Sequence, residues 1–368
     1  MAHGRQNQAS GPYESRKNQI HSRSVVTDNA HLPFALTMAS IAGCQPFAAM
    51  AINDRLLALS AFASIAGGGL LPDESGSVRK ILGRWAETQP ILHRTRAAFE
   101  SGPAAATLRE LSIHIDSVRL HPPIDSPRQL FCTGANYRQH VISLMLGDKD
   151  MRGIGNENIE DPAELRRRAE AIMDQRAANA VPYVFLRSPE TLIGARDSVF
   201  LPRHFLKPDW ELELAAVIGR TARNVAADKA MDHVAGYTIL NDMTARERVF
   251  RKDMPSMGAD WLQGKNWQDS APCGPYFVPA CFVENPYALQ IRLLLNERVM
   301  QDESTADMVI NIERQIEFLS SVLTLHPGDI IATGSPAGNG SHHGVFMAPN
   351  DVIEGTITGL GTQKTVCV

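Results

Sequence analysis

Short apolar runs alternate with turn-forming residues along most of the chain, a pattern of many short strands with few long helices. Near the start, residues 34–39 and 46–52 predict two strands, with Asn53-Asp54 as a turn between strands. Residues 77–101 carry Ile81, Leu82, Trp85, Ile91 and Leu92 as a partial apolar face, which predicts a helix. Residues 111–120 predict a strand before His121-Pro-Pro123. Residues 130–133 predict another, followed by a tight turn at Gly134-Ala-Asn136 and a helix from near Tyr137. Asp161-Pro-Ala-Glu164 reads as a helix start, with Asp as cap and Pro at the first position, continued by an Arg-rich helix over 165–178.

Further strands are expected at 181–186, 198–202, 209–219, 236–242, 273–279 and 325–333. Residues 289–295 and 298–301 predict a hairpin around Asn296-Glu297, residues 308–323 a helix with one apolar face, and residues 351–368 closing strands turned at Gly355, Gly359 and Gly361. The sum is a mainly β protein with α elements, of α+β class. Residues 1–30 are polar and predict a flexible arm. Residues 31–124 are expected to form a small N-terminal domain. Residues 125–368 form the larger one, with a charged helical insertion, a candidate lid, at 148–180.

Composition narrows the functional classes. The chain of 368 residues is 44% hydrophobic and 21% charged, as expected of a soluble globular protein. A net charge of -4 argues against a nucleic-acid surface, which is normally basic. No apolar run approaches the roughly 20 residues that span a bilayer, residues 35–51 coming nearest. Cys44, Cys132, Cys273, Cys281 and Cys367 are odd in number and far apart, so neither a disulfide framework nor a Cys-based zinc site is expected, and a reducing cytoplasm fits. Gly67-Gly-Gly69 and the Gly-rich segment 334–340 lack the Lys and helix start of a phosphate cradle. Adjacent His342-His343 suit zinc poorly.

The chemistry concentrates in the strand over 209–219. Side chains on a strand alternate faces, so Glu211 and Glu213 point the same way beside an apolar run. Unpaired buried carboxylates cost several kcal/mol or take up a proton, and a divalent cation such as Mg²⁺ removes that cost. A solvated edge strand is the alternative reading. Asp242 ends the next apolar strand beside Arg246, as a third ligand or as an ordinary helix cap.

In order along the chain stand E-L-E-L-A-A-V-I-G (211–219), G-Y-T-I-L-N-D-M-T-A-R (236–246), G-K (264–265), P-C-G-P (272–275) and T-G-S-P-A-G (333–338). This ordered set resembles the fumarylacetoacetate hydrolase superfamily. The resemblance implies a mixed β-sandwich roll, and Mg²⁺ on Glu211, Glu213 and Asp242, with Mn²⁺ or Ca²⁺ as alternatives. It implies catalytic roles for His140 and Lys265, and substrate contacts from Tyr137, Arg187, Arg246 and Ser335. The implied activity is hydrolysis of a C–C bond in a β-diketone or acylpyruvate-type oxo acid through an enolate. Decarboxylation, isomerisation, hydration or a degenerate metal-binding homologue are the alternatives. The implied partners are a small oxo acid and further copies of the chain, as a homodimer or larger, with no nucleic acid and no membrane.

Several positions depart from the family's pattern, among them Gln268 at the usual Asp position, with Asp269 one further on, and Ser335 for the usual Thr. Where many relatives pair the His with an acid three residues on, this chain has Ser143, and Glu157, Glu160 and Glu164 are candidate substitutes. Arg187 stands for the usual Lys, and Val249 for the usual substrate-binding Gln.

Overall fold

A computed structural model of the protein describes residues 32–66, 69–71, 73–147 and 158–368. The expected arm at 1–30, Gly67-Gly68 and Glu157 lie outside the described residues. Strands β1 (Ala35–Ser40), β2 (Phe47–Ile52) and β3 (Arg55–Ala58) lead into helices α1 (Leu59–Ala66), α2 (Val78–Leu82), α3 (Trp85–Ser101) and α4 (Ala105–Leu111), then β4 (Ile113–His114) and β5 (Arg119–His121). The five strands form one antiparallel sheet in the order β4-β3-β2-β1-β5. Asn53, at φ 54°, turns β2 into β3 as its sequence predicts.

The helix expected over 77–101 is two helices. The Ser77 side chain caps the first by accepting from Lys80 N at 3.1 Å, and Gly83 ends it. The strand expected over 111–120 is largely absent. Leu111 still belongs to α4, whose end is closed by Ser112 N donating to Arg109 O, and a turn at Ile115–Ser117 divides the remainder.

Beyond these come β6 (Leu130–Gly134), α5 (Arg138–Gly147), α6 (Pro162–Asn179), β7 (Tyr183–Arg187), β8 (Leu192–Gly194), β9 (Pro208–Asp209) and β10 (Leu212–Ile218). Next are α7 (Ala227–Ala230), β11 (Val234–Asn241), β12 (Thr244–Ala245), α8 (Arg246–Val249), α9 (Trp261–Lys265), β13 (Ala271–Cys273) and β14 (Val278–Pro279). The chain closes with β15 (Gln290–Leu295), β16 (Arg298–Ser304), α10 (Ile312–Val322), β17 (Ile330–Ala332), α11 (Gly340–His343), β18 (Val352–Ile357) and β19 (Gly361–Val366). A large mixed sheet runs β7-β6-β17-β10-β11-β13-β8, with β14 also on β11, and a four-stranded sheet runs β16-β15-β18-β19.

The α+β class is as expected. Asn296 and Glu297, at φ 49° and 67°, turn the β15–β16 hairpin. Residues 198–202 form no strand beyond a single bridge, Val199 to Cys367. Gly355 is not a turn: it lies within β18, packed on the Leu212 side chain.

Strand β10 is central, flanked by β11 and β17. Its even positions Leu212, Leu214, Ala216 and Ile218 join the core formed with Ile291, Leu293 and Ile353 of the four-stranded sheet. Ala215 and Val217 face a second core that includes Phe34, Leu36, Leu130 and Ala332 and so binds the N-terminal sheet to the large one. Helices α5 and α6 meet through a small cluster of their own, Val141, Ile142 and Met145 against Ala169 and Met173. Among the described residues no helix is long and apolar enough to cross a membrane.

Sheet packing leaves no room at Gly236 of β11, where an added Cβ would stand 2.1 Å from the Val278 carbonyl oxygen. Gly236→Ala is expected to destabilise the fold by about 1–3 kcal/mol, the usual cost of overpacking. Urea unfolding of the variant against the parent measures it.

Candidate metal centre and active site

The ladder between β10 and β11 places the acids. Glu213 pairs with Leu240 and Leu212 with Asn241, and Asp242 N then donates to Glu211 O at 2.8 Å. Asn241 turns its side chain back to accept from Glu211 N at 2.9 Å. Glu211, Glu213 and Asp242 thereby converge, each offering an oxygen within 4.8 Å of the others, and all three are buried. The solvated-edge reading fails because β10 lies inside the sheet. The helix-cap reading of Asp242 fails because α8 starts only at Arg246, with Ala245 at its cap.

Three cations surround this cluster. Lys265, at the end of α9 and buried, donates from Nζ to Glu211 Oε2, to Asp242 Oδ2 at 2.5 Å and to Asp242 O at 2.8 Å. Arg246 donates to Glu211 Oε1 at 2.5 Å and to Asp209 Oδ2 at 2.7 Å. Arg187 uses its whole guanidinium inside the protein. It bonds Asp242 Oδ1, Met243 O at 3.1 Å, Thr191 Oγ1 at 3.0 Å, and Ser270 O and Oγ at 3.0 and 2.7 Å. No donor remains for a ligand, so Arg187 orients Asp242 where the sequence suggested a substrate contact.

The charge states follow from these neighbours. Burial pushes Glu211 up, but the Arg246 guanidinium and Lys265 ammonium outweigh it and hold the carboxyl well below its ordinary range. Burial likewise opposes the charge of Lys265, yet Asp242 and Glu211 keep it above its usual value. Glu213 forms no ion pair among the described residues, and Lys265 offsets its burial only in part. Burial, then Asp242 and Glu211, push it well up, and its one protein donor is Gly334 N at 2.8 Å. Three hard oxygen donors converging in a site with an uncompensated acid suit a divalent cation such as Mg²⁺ or Mn²⁺.

Of the other expected residues, His140 on α5 is buried and faces this cluster. Burial pushes its imidazole down to about 4, and the remaining influences are coulombic, from Glu211, Arg246, Asp209 and Lys265. Among the described residues no carboxylate hydrogen-bonds its ring. Glu160 is exposed, and the Glu164 carboxylate bonds Arg167 and Arg168 on its own helix, so neither stands in for the acid absent at Ser143. Tyr137 is fully buried, and its hydroxyl has no partner among the described residues. Ser335 follows Gly334, the residue that caps Glu213, and lies next to Gln301 and Asn339. Val249 is buried against Gly264, the neighbour of Lys265. His343 is engaged with Met300 O at 3.0 Å, and the acidic trio is the one ligand cluster found among the described residues.

Sequence reasoning missed Asp209. Fully buried, it holds Arg246 and accepts from Gly340 N, Ser341 N and Ser341 Oγ at 2.5, 3.1 and 2.9 Å, which ties α11 to the site. Its place two residues before Glu211, on the same face of an extended segment, was the available signal.

The family model for the C-terminal region of fumarylacetoacetate (FAA) hydrolase matches residues 129–368. A Bos taurus protein named oxaloacetate tautomerase FAHD2A, mitochondrial, is 31% identical over 283 residues, covering 74% of this chain and 79% of its own length. A Xenopus laevis protein named oxaloacetate tautomerase fahd2, mitochondrial, is 29% identical over 273 residues, covering 74% and 75%. Among solved structures, maleylpyruvate hydrolase from Sphingobium sp. SYK-6, in complex with manganese(II) ion and pyruvate, superposes with a TM-score of 0.62 at 25% identity, over 91% of this chain and 98% of the other.

Because the Arg187 fork fixes Asp242, Arg187→Lys is expected to weaken Mn²⁺ binding by about 10–100-fold, the usual effect of losing an outer-shell partner. Glu213→Ala removes a ligand and is expected to weaken it further. Titration followed by manganese electron paramagnetic resonance reads both, and unchanged affinity in Glu213→Ala would remove the metal assignment.

Proposed function

The chain belongs to the fumarylacetoacetate hydrolase family, and from that premise we propose that it moves a proton on an enolisable 2-oxo acid, as a keto–enol tautomerase or isomerase. The carrying observation is His140, a buried imidazole near the acidic cluster with no carboxylate hydrogen-bonded to its ring among the described residues. A histidine that activates water gains from a partner that orients it and stabilises the imidazolium. A histidine that takes a proton from an acidified carbon and returns it needs less. The relatives named oxaloacetate tautomerase, aligned over about three quarters of the chain, support this reading. Hydrolysis of a C–C bond is the second reading, favoured by the structural likeness to maleylpyruvate hydrolase.

Glu211, Glu213 and Asp242 would hold the cation, which supplies Lewis-acid polarisation of the oxo and carboxylate oxygens. The chain's own groups do the rest. Lys265, kept charged by Asp242 and Glu211, is the cation for negative charge growing on the oxo oxygen. Arg246, charged and part-exposed, is held by Asp209 and Glu211 at the edge of the cluster. Ser335 binds the carboxylate. His140, neutral at ordinary pH, accepts the proton from the carbon next to the carbonyl and delivers it to the product.

Two outcomes test this. Lys265→Ala is expected to lower kcat by about 100–1,000-fold on oxaloacetate or acylpyruvates, the scale of losing one charge-stabilising donor. Loss of enol absorbance reads the rate. For His140, faced by Glu211, Asp209, Arg246 and Lys265, the folded value lies below the ordinary value of about 6.5. The base form then persists as pH falls, so the acid limb of kcat/KM should fall near pH 4 and the rate stay level between about pH 5 and 8. An acid limb near 6.5 that vanishes in His140→Ala would contradict that environment, and an unaltered rate in His140→Ala would remove the base.

A further inference from the structure

Ser335 sits among polar atoms that fix more than its position. Strand β17 pairs with β10 only through Ala215, Ala216 and Val217. The ladder extends to Leu214, whose carbonyl accepts from Thr333 N at 3.0 Å and Thr333 Oγ1 at 2.8 Å. Past it, two side-chain amides take the place of a strand. Leu212 N donates to Gln301 Oε1 at 3.2 Å, and Trp210 O accepts from Asn339 Nδ2 at 2.9 Å.

These backbone partners decide which end of each amide is which. Leu212 N–H requires an acceptor and Trp210 C=O a donor, so neither amide can be turned over. The remaining donors meet on one atom. Gln301 Nε2 donates to Ser335 Oγ at 3.1 Å and to Pro336 O at 3.1 Å, and Asn339 Nδ2 donates to Ser335 Oγ at 3.2 Å. Both acceptor positions of the hydroxyl are thereby filled. Its proton has one protein acceptor, Pro336 O of the next residue, at 3.3 Å. Gln301, Asn339 and Ser335 are all buried, so no bulk water relaxes the arrangement.

We propose that Gln301 and Asn339 are positioning residues that make Ser335 a donor-only hydroxyl, so the ligand atom it meets must be a hydrogen-bond acceptor, for which a carboxylate oxygen is the strongest candidate. The inference rests on the oxo-acid reading above and adds the residues that select the acid end of the substrate. A charged carboxylate oxygen is a stronger acceptor than the Pro336 carbonyl and draws the proton to itself. An amide NH₂ turned to the same point meets a donor and leaves both unpaired. The expected discrimination is about 10–100-fold, the scale of one unsatisfied buried group.

The test is oxalate binding to the manganese-loaded protein, measured by calorimetry, with melting temperature and Mn²⁺ affinity as controls. Asn339→Asp keeps the shape but turns a donor into an acceptor, which draws the Ser335 proton onto residue 339. Oxalate should bind at least about 10-fold more weakly, and KM for the oxo acid should rise more than kcat falls. Added to Ser335→Ala, the same substitution should weaken oxalate less than it does in the parent, the remainder being the lost bond to Trp210 O. Equal weakening with and without the Ser335 hydroxyl would overturn the inference. Should Asn339→Asp not fold, Gln301→Met frees one acceptor position on Ser335 without adding charge. It should narrow the preference for oxalate over oxamate about 10-fold, and an unchanged ratio would overturn the inference. Neither binding readout needs turnover, so a wild type that converts no oxo acid counts against the proposed function alone.

Discussion

The interior of this protein is governed by concentrated like charge. Asp209, Glu211, Glu213 and Asp242 lie buried within a few residues of two adjacent strands, where isolated carboxylates would each cost several kcal/mol. Arg187, Arg246 and Lys265 answer them, and each cation comes from a different element: the end of β7, the start of α8 and the end of α9. The sheet and the two short helices are therefore tied together: removing Arg246 strands Asp209, and removing Arg187 or Lys265 leaves Asp242 with a single cation. The imbalance falls on Glu213, which forms no ion pair among the described residues, and so the cluster has the chemistry to accept a further positive charge.

Much of this was legible in the residues. The E-x-E spacing placed two carboxylates on one face, and the strand ending at Asp242 supplied a third, because strand periodicity is strict and short-ranged. The helix start at Asp161-Pro162 and the Asn296-Glu297 hairpin followed from caps and turns, which are equally local. What escaped depends on the third dimension. Nothing local tells that Arg187 has every donor turned inward, since Thr191, Asp242, Met243 and Ser270 meet it only after the sheet closes. Asp209 was passed over because its partners on α11 lie some 130 positions away. The strands expected at 111–120 and 198–202 failed because their ladders are short: Val199 and Leu201 bond only the backbone of residues 366–368, and 111–120 is divided by a turn between β4 and β5.

The substrate side of the site is held by a different device from the metal side. Salt bridges fix the ligands. The loop over 334–339 is fixed by backbone and amide hydrogen bonds, from Gly334 N to Glu213 and from Gln301 and Asn339 to the unpaired end of β10. Both halves thus take their position from a single strand, and any displacement of β10 moves the acidic cluster and the Ser335 hydroxyl as one body.

That β10 is buried on both faces has one more consequence. Its odd positions carry the acids and its even positions carry Leu212 and Leu214, so a slip of one residue against β11 would exchange them. Glu211 and Glu213 would then enter the oily layer beside Ile291 and Leu293, far from every guanidinium and ammonium that neutralises them. The acids therefore act as a proofreading device during assembly: the alignment that builds the catalytic pocket is the alignment the chain can tolerate.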